Sequence, residues 1–182
     1  MSSHNLRSQG GKEEKPLKKP LFLDGDEAAA LIDDNKTVAT IGMTLVSASE
    51  TILKALDKRY LETGHPCGLT LVHSCGQSDR DRGIQHFAHE GMLSRIIGGH
   101  WGLQPRMMEL IANNKLLAYN LPQGQFAQLY RSMAGGEPGK ITKVGLGTYM
   151  DPRLGGGKMN EITQNAPDLM DVLTIDGEEY IR

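Results

Sequence analysis

Two His-x-Cys pairs are the residues whose types most directly suggest chemistry. His65 and Cys67 form the first pair, and His73 and Cys75 repeat the spacing eight residues later. Zinc accepts both of these ligand types. Most of a strand-like segment separates the two pairs, however, and free cysteines usually pack as small apolar residues. The sequence therefore predicts that these residues hold no metal.

Two further polar runs resemble sites without matching one. His86-x-x-His89-Glu90 has the wrong order for a metalloprotease motif, so we expect a solvated helical turn there. The run from Ser78 to Gly83 alternates in charge and is typical of a solvated loop. An alternative is that Arg80 or Arg82 contacts a phosphate of a nucleotide-bearing ligand.

Glycine is the unusual residue of this composition, with 22 in 182 residues. The dinucleotide-binding pattern G-x-G-x-x-G is absent. A P-loop is also absent, because Met159 follows Lys158 where a P-loop needs serine or threonine. The glycines cluster where predicted strands end, at Gly42, Gly76, Gly98-Gly99 and Gly145 to Gly147. Ligands of open parallel sheets bind at that edge, where free backbone amides can bind a carboxylate or a thioester oxygen. The alternative is that these are turn glycines.

The single tryptophan, Trp101, lies in such a turn and either fills the edge of the core or lines a ligand channel.

The segments that must position these turns alternate between strand-like and helix-like patterns. Predicted strands cover 37–41, 69–73, 92–97 and 116–119, and predicted helices follow three of them. The first helix is predicted to begin with a capping box formed by Ser47 and Glu50. Such alternation indicates an α/β fold with a mostly parallel sheet. Residues 172–181 predict a terminal hairpin with an Asp176-Gly177 turn, so the sheet looks interrupted at Arg182.

Composition excludes several classes of protein. The net charge of −2 argues against a globally basic nucleic-acid binder. Neither a stretch of about 20 apolar residues nor an apolar signal segment is present, so we expect a soluble, cytoplasmic protein, or a mitochondrial-matrix one in a eukaryote. Two cysteines fit a reducing compartment. Residues 1–20 carry five basic and two acidic residues, and we expect a disordered basic tail there, followed by one domain over residues 21–182.

The glycine-rich turns, taken in order, are similar to those of a known family. Residues 98–102 (GGHWG), 119–124 (YNLPQG), 145–153 (GLGTYMDPR) and 156–160 (GGKMN) resemble the N-terminal half of family I CoA-transferases, most closely the acetate/propionate type. The loop from Ser78 to Gly83 looks like that family's Asp-Arg-x-Asp-Arg-Gly loop, and the resemblance runs from Leu21 to Arg182.

The resemblance implies a Rossmann-like α/β domain of the CoA-transferase and isomerase-like superfamily. It implies an enzyme that moves coenzyme A, its substrate rather than a cofactor, from an acyl-CoA to a small carboxylate through a covalent glutamyl intermediate. The family's nucleophilic glutamate lies in a C-terminal half, and no glutamate here occupies a matching motif. We therefore expect this chain to need a missing C-terminal half, to be inactive alone, and to form a homo-oligomer.

Four residues are the candidate substrate-binding positions. By position in the resemblance, Gly42 and Met43 would contact the acyl group, although the family usually has a run of glycines in that loop. Gln123 and Gly124 lie between a predicted strand and the next helix, where a carboxylate is stabilised. Gln123 could instead serve only as a helix cap.

Two alternatives to a CoA-transferase remain open from the sequence. The chain could be a non-catalytic ligand-binding or interaction domain that keeps the fold. It could also be a sugar-phosphate isomerase-like enzyme, although no carboxylate–histidine pair in the matching loops supports the acid/base chemistry that reaction needs.

Overall fold

Four parallel strands form the sheet at the centre of the protein. The computed structural model describes residues 20–182 and orders the strands β1-β2-β3-β4 across the sheet. Their bounds are β1 Thr37–Thr40, β2 Leu69–His73, β3 Leu93–Gly98 and β4 Leu117–Asn120. The helices are α1 Gly25–Ala30, α2 Glu50–Thr63, α3 Pro105–Ala112, α4 Gln123–Ala134 and α5 Glu161–Gln164, with a 3₁₀ turn at Gly83–Phe87. An antiparallel hairpin, β5 Val172–Ile175 and β6 Glu178–Ile181, confirms the predicted Asp-Gly turn. The α/β prediction with a mostly parallel sheet is confirmed.

One face of the sheet carries the main core. Val38, Leu71, Ile96 and Ala118 are neighbours in the strand register and point to the same face. Residues of α2, the 3₁₀ turn and α3 are buried in the same cluster, among them Leu53, Leu56, Phe87, Met107 and Ile111. Each such side chain contributes about 1.5–3 kcal/mol when it leaves water. This packing fixes the strands and, with them, the turns at their carboxyl ends.

Helix α2 does not begin as predicted. Its N-cap is Ser49, and Ser47 lies two residues earlier with a φ of 63°. The Glu50 carboxylate is occupied elsewhere, because it accepts from the backbone N–H of Gly83 at 3.0 Å and contacts His86 Nε2 at 3.0 Å. The predicted capping box is therefore wrong, whereas a capping box that the sequence analysis did not predict joins Asp24 and Glu27 at α1.

The glycines at 145–147 do not end a strand of the sheet. They lie in a series of turns over residues 143–157, next to the hairpin. The buried carboxylate of Asp151 organises these turns: it accepts from the Gly147 N–H at 3.0 Å and pairs with Arg153 Nη2 at 2.8 Å. The hydrogen bonds from Arg153, with that from Gly147, hold the pKa of Asp151 well below its ordinary value. The other three predicted clusters, at Gly42, Gly76 and Gly98-Gly99, do follow strands.

The predicted basic tail lies almost entirely outside the residues that the structure describes. Only Pro20 of the predicted basic tail, residues 1–20, is described. Within residues 20–182, each helix is too short or too polar to cross a bilayer.

Candidate functional site

The turn after β1 carries two of the four candidate residues. Gly42 has a φ of 143°, and a Cβ there would lie 2.6 Å from the carbonyl oxygen of Val46, so only glycine fits. Met43 and Val46 exchange backbone hydrogen bonds of 3.1 and 2.9 Å, which close a small loop. Met43 is 61% exposed. The turn thus presents an apolar side chain at the carboxyl edge of the sheet.

The other two candidates open helix α4 directly after β4. Pro122 occupies the N-cap position, and the Gln123 side chain makes no hydrogen bond within residues 20–182. A Cβ placed on Gly124 would meet nothing within 4 Å. The turn after β3 packs against the start of α4, because a Cβ on Gly99 would lie 3.0 Å from the Gln123 Cα. Gln123 is therefore not occupied as a cap, and it is exposed at the positive end of the helix.

The structure places these two pairs at one edge of the sheet but not in contact. Gly42 follows β1 and Gln123 follows β4, the two outer strands. Three strand spacings of about 4.8 Å separate them by about 14 Å. Gln77, buried after β2, reaches toward the first pair, with its Nε2 3.4 Å from the Gly42 carbonyl oxygen.

His73 lies between the two pairs and was not predicted as part of this edge. The register aligns it with Thr40, Gly98 and Asn120 at the carboxyl ends of the strands. It is fully buried, and burial lowers its pKa to about 4, so the ring is neutral at pH 7. Nδ1 donates to the Cys75 carbonyl at 2.9 Å, which leaves Nε2 as an acceptor.

The sequence did contain a signal for placing His73 at this edge: it lies at the end of a predicted strand and before a glycine-containing turn. Trp101 packs perpendicular to the His73 ring, with centroids 5.0 Å apart, and is only 6% exposed. Of the two roles considered for Trp101, the structure shows that it fills the edge of the core.

The two His-x-Cys pairs do not come together. Instead, the carboxylate of Asp34 joins the first pair, so that ligand atoms of Asp34, His65 and Cys67 lie within 4.8 Å of one another. His65 Nδ1 is 2.8 Å from Asp34 Oδ2, and the Cys67 backbone N–H donates to Asp34 Oδ1 at 2.8 Å. Burial raises the pKa of the Cys67 thiol, and the nearby negative charge of Asp34 raises it further. The polar atoms of this group thus already have partners within the protein.

The predicted solvated turn at His86 and His89 is instead a largely buried cluster of hydrogen-bonded side chains. His86 Nδ1 and His89 Nε2 each lie 2.6 Å from a different carboxylate oxygen of Asp57. Tyr60 stacks on His89 at 5.5 Å. The cluster connects α2 to the 3₁₀ turn, on the core side of the sheet and away from its open edge.

The loop at Ser78 to Gly83 combines burial and charge pairing. Ser78 is buried and donates to the Arg82 carbonyl at 2.7 Å. Arg82 pairs with Asp79 at 2.6 Å, and hydrogen bonds from the Arg82 backbone and side chain lower the pKa of Asp79 to about 2. Arg80 lies at the exposed tip of the loop. The sequence-based loop assignment therefore holds, although the pairing is more specific than expected.

Comparison with known proteins identifies the family. The family model described as coenzyme A transferase matches residues 23–182. The chain belongs to the coenzyme A transferase family. It is 41% identical over 161 residues to caffeate CoA-transferase of Acetobacterium woodii, which covers 88% of this chain and 30% of that protein. It is 38% identical over 175 residues to acetate CoA-transferase YdiF of Escherichia coli K12, covering 92% of this chain and 33% of YdiF.

Solved structures of a coenzyme A transferase share the fold. The YdiF acyl-CoA transferase of Escherichia coli O157:H7, in a thioester complex with CoA, matches with a TM-score of 0.81 and 39% identity over 87% of this chain and 33% of that chain. The YdiF apoenzyme matches with a TM-score of 0.82 and 37% identity over 91% of this chain and 33% of that chain. The chain thus spans about a third of the length of these coenzyme A transferases. The resemblance stated from the glycine-rich turns is confirmed, as is the enzyme family.

Proposed function

We propose that this chain is the N-terminal part of an acyl-CoA:carboxylate CoA-transferase that acts on short-chain acids such as acetate or propionate. The open N-terminus of α4, which carries Gln123 and Gly124 at the carboxyl edge of the sheet, is the observation that supports this most strongly. Two of the relatives are acetate CoA-transferases. The non-catalytic alternative has no support in these similarities.

The proposed reaction divides the transfer of CoA between two acids into successive acyl-transfer steps at a glutamate carboxylate. A glutamate supplied by polypeptide outside these 182 residues attacks the thioester carbonyl, the C–S bond breaks, and CoA leaves as thiolate. The thiolate then attacks the glutamyl carbonyl of the resulting anhydride and expels the free acid. An acceptor carboxylate then attacks the glutamyl thioester, which forms a new anhydride and releases the CoA thiolate. The thiolate attacks the acyl carbonyl of this anhydride, which gives the new acyl-CoA and frees the glutamate.

Residues of this chain would stabilise the negative charge that each step creates. The Gln123 amide can donate to a carboxylate or to a thioester oxygen, and the first N–H groups of α4 add their dipole. Gly124 leaves room for the ligand to approach these N–H groups. Gly42 and Met43 would contribute to the wall beside the acyl group. Coenzyme A is the substrate, and the chemistry requires no other cofactor.

The remaining components of the proposed enzyme lie outside this chain. The polypeptide that carries the glutamate would complete the acyl site, and the assembled enzyme would be a cytoplasmic homo-oligomer. The altered loop after Gly42, with Met43 in place of a further glycine, would narrow the acyl side of the site and so favour short acids.

Replacing Gln123 tests this assignment. The chain is produced together with the part of Escherichia coli YdiF that follows the matched region, and CoA transfer from acetyl-CoA to propionate is measured. Gln123→Ala should lower kcat/KM about tenfold to a hundredfold, or about 1.4–2.8 kcal/mol. Stability should change by less than about 1 kcal/mol, because the side chain is exposed and unpaired.

Gln128→Ala, an exposed glutamine on the same helix, is the matched control and should leave kcat/KM unchanged. If Gln123→Ala changes only the melting temperature and leaves the kinetics as they were, Gln123 does not bind substrate.

A further inference from the structure

The side chain of Asn120 lies where three segments of the carboxyl edge meet. Asn120 is the last residue of β4 and is aligned with Gly98, the last residue of β3. Its Nδ2 donates to the Gly98 carbonyl oxygen at 3.1 Å, and its Oδ1 accepts from the Tyr149 hydroxyl at 2.7 Å. Its backbone N–H donates to the Gly157 carbonyl oxygen at 2.7 Å. One residue therefore joins β3, β4 and the turns over residues 143–157.

These contacts fix the orientation of the Asn120 amide. The Gly98 carbonyl oxygen can only accept, so the NH₂ end of the amide must face it. The oxygen end then faces the Tyr149 hydroxyl, which donates to it. The flipped amide would place its oxygen against the Gly98 carbonyl oxygen and lose that hydrogen bond. The Tyr149 hydroxyl thus holds the amide in the one orientation that satisfies both partners.

The turn that carries Gln123 begins at this point. The Leu121 N–H donates to the same Gly98 carbonyl oxygen at 3.0 Å, so two successive residues attach the start of the turn to the end of β3. Gly99 packs against the end of the turn, because a Cβ there would lie 3.0 Å from the Gln123 Cα. The place of Gln123 is therefore set by the hydrogen bonds of Asn120 and Leu121 on one side and by Gly99 on the other.

The position of Gln123 matters for the chemistry proposed for it. A donor stabilises developing negative charge only when it lies about 2.7–3.1 Å from the oxygen that carries the charge. A misplacement of about 1 Å can lower a rate substantially. The Gln123 side chain makes no hydrogen bond among the described residues, so the backbone of the turn determines where its amide can reach.

We propose that Asn120 is a positioning residue for Gln123, and that the Tyr149 hydroxyl holds the Asn120 amide in place. Neither side chain contacts substrate; both act through the turn at residues 121–123. The proposal rests on the proposed function, because Gln123 must bind a reacting oxygen for its position to affect the rate.

Removal of the Tyr149 hydroxyl tests the proposal. The chain is co-produced with the portion of Escherichia coli YdiF that follows the matched region, and CoA transfer from acetyl-CoA to propionate is measured. Tyr149→Phe keeps the ring and should lower kcat about threefold to tenfold with KM changed less than about twofold, because Gln123 would stabilise charge that develops during the reaction. In a chain that already carries Gln123→Ala, Tyr149→Phe should have no further effect, since a positioning residue acts through the residue that it positions.

Two further variants complete the kinetic test. Asn120→Ala removes both side-chain contacts and should lower kcat at least as much as Tyr149→Phe. Tyr180→Phe is the matched control, because it removes a tyrosine hydroxyl that donates to the exposed Glu178 carboxylate at 3.1 Å on the hairpin. It should leave kcat unchanged.

Amide hydrogen exchange in the 182-residue chain gives a second measurement that does not depend on catalysis. Tyr149→Phe should speed exchange of the Asn120 and Leu121 N–H groups at least about threefold, because the end of β4 opens more often. Tyr180→Phe should leave these rates unchanged. Tyr149 is 54% exposed, so its change removes no core contact, and unfolding curves of both variants verify this.

Each outcome decides the proposal. A loss of kcat in Tyr149→Phe that disappears in the Gln123→Ala background supports it. An equal loss in both backgrounds, no loss, or a similar loss in Tyr180→Phe overturns it. A Gln123→Ala enzyme as active as the unchanged one also overturns it but leaves CoA transfer as the function. If the unchanged co-produced enzyme transfers no CoA, the proposed function is contradicted and exchange decides the positioning: faster exchange in Tyr149→Phe supports it, and equal exchange overturns it.

Discussion

Asp57 is held by two imidazoles at once, and this arrangement makes part of the stability dependent on pH. Burial raises the pKa of Asp57, but hydrogen bonds from His86 and His89 outweigh it and leave the pKa below its ordinary value. The pKa of Glu50 is lowered in the same way, against its own burial, by hydrogen bonds from His86 and from the Gly83 N–H. Carboxylates with lowered folded-state pKa values stabilise the protein above their unfolded pKa, and the stabilisation is lost as pH falls through the folded value.

Asp57→Asn should therefore lower the free energy of unfolding by about 1–3 kcal/mol at pH 7, because two histidines lose a charged partner. The difference from the unchanged protein should shrink as pH falls below about 4, the unfolded pKa, and through the lowered pKa of the folded aspartate. Urea unfolding at several pH values measures both effects. Asp33→Asn, at an exposed position between α1 and β1, is the control and should change little. A difference that does not vary with pH would show that packing, rather than charge, holds the cluster.

The group formed by Asp34, His65 and Cys67 leads to a prediction about metal. Its three ligand atoms are close, but His73 and Cys75 are not among them, and no fourth protein ligand joins them within the described residues. A structural zinc site usually has four protein ligands. We expect no stoichiometric zinc in the purified protein. Elemental analysis that finds about one zinc per chain, with loss of folding on chelation, would contradict this.

The turns at the ends of the strands show what the sequence could and could not predict about the elements. Leu69–His73 was predicted to the residue because alternation and flanking glycines are local signals. The start of α2 was missed because Glu50 bonds to Gly83 and His86, more than 30 residues away. A capping box is recognised locally and carries no information about such distant competitors.

The candidate site was only partly predictable for the same reason. The turns that carry Gln123 and Gly42 follow from local patterns, whereas their separation across the sheet follows from the strand order. His73 joins this edge through its register with Gly98. Strand order and register depend on contacts between distant segments, which the spacing of residues in one sequence does not show.

Two glycines at the carboxyl edge should respond in opposite ways to the same substitution. A Cβ on Gly98 would lie 2.3 Å from His73 Nε2, and Trp101 packs against that buried ring. Gly98→Ala should therefore lower the free energy of unfolding by about 1–3 kcal/mol. Gly124→Ala meets open space in α4 and should raise it by up to about 1 kcal/mol.

Thermal or urea unfolding of the two variants measures this difference directly. Similar losses at both positions would show that α4 does not begin as described. In the co-produced enzyme, Gly124→Ala should still reduce CoA transfer if ligands approach the helix at this point, so the same variant separates stability from binding.

The molecule as a whole presents its apolar and its charged residues unevenly. Residues 1–20 contribute a net charge of +3 and the remainder −5, so charge repulsion between copies is weak. The apolar cavity between α4 and the sheet, with the exposed Met43 and Val46, adds apolar surface. Contiguous exposed apolar patches typically mark interaction sites or cause association. Both properties therefore favour association of the chain when it has no partner.

The chain alone should consequently be inactive and should self-associate. The resemblance places none of its glutamates in a motif that matches the family's nucleophile, so we expect that no covalent intermediate forms and that mixing the chain with acetyl-CoA and propionate gives no propionyl-CoA above the uncatalysed level. Light scattering should show particles that grow with protein concentration, and co-production with the YdiF polypeptide should reduce them by covering the apolar surface. CoA transfer by the isolated chain would mean that one of its own carboxylates acts as the nucleophile. A sharp monomer at high concentration would mean that this exposed apolar surface is too small or too polar to drive association.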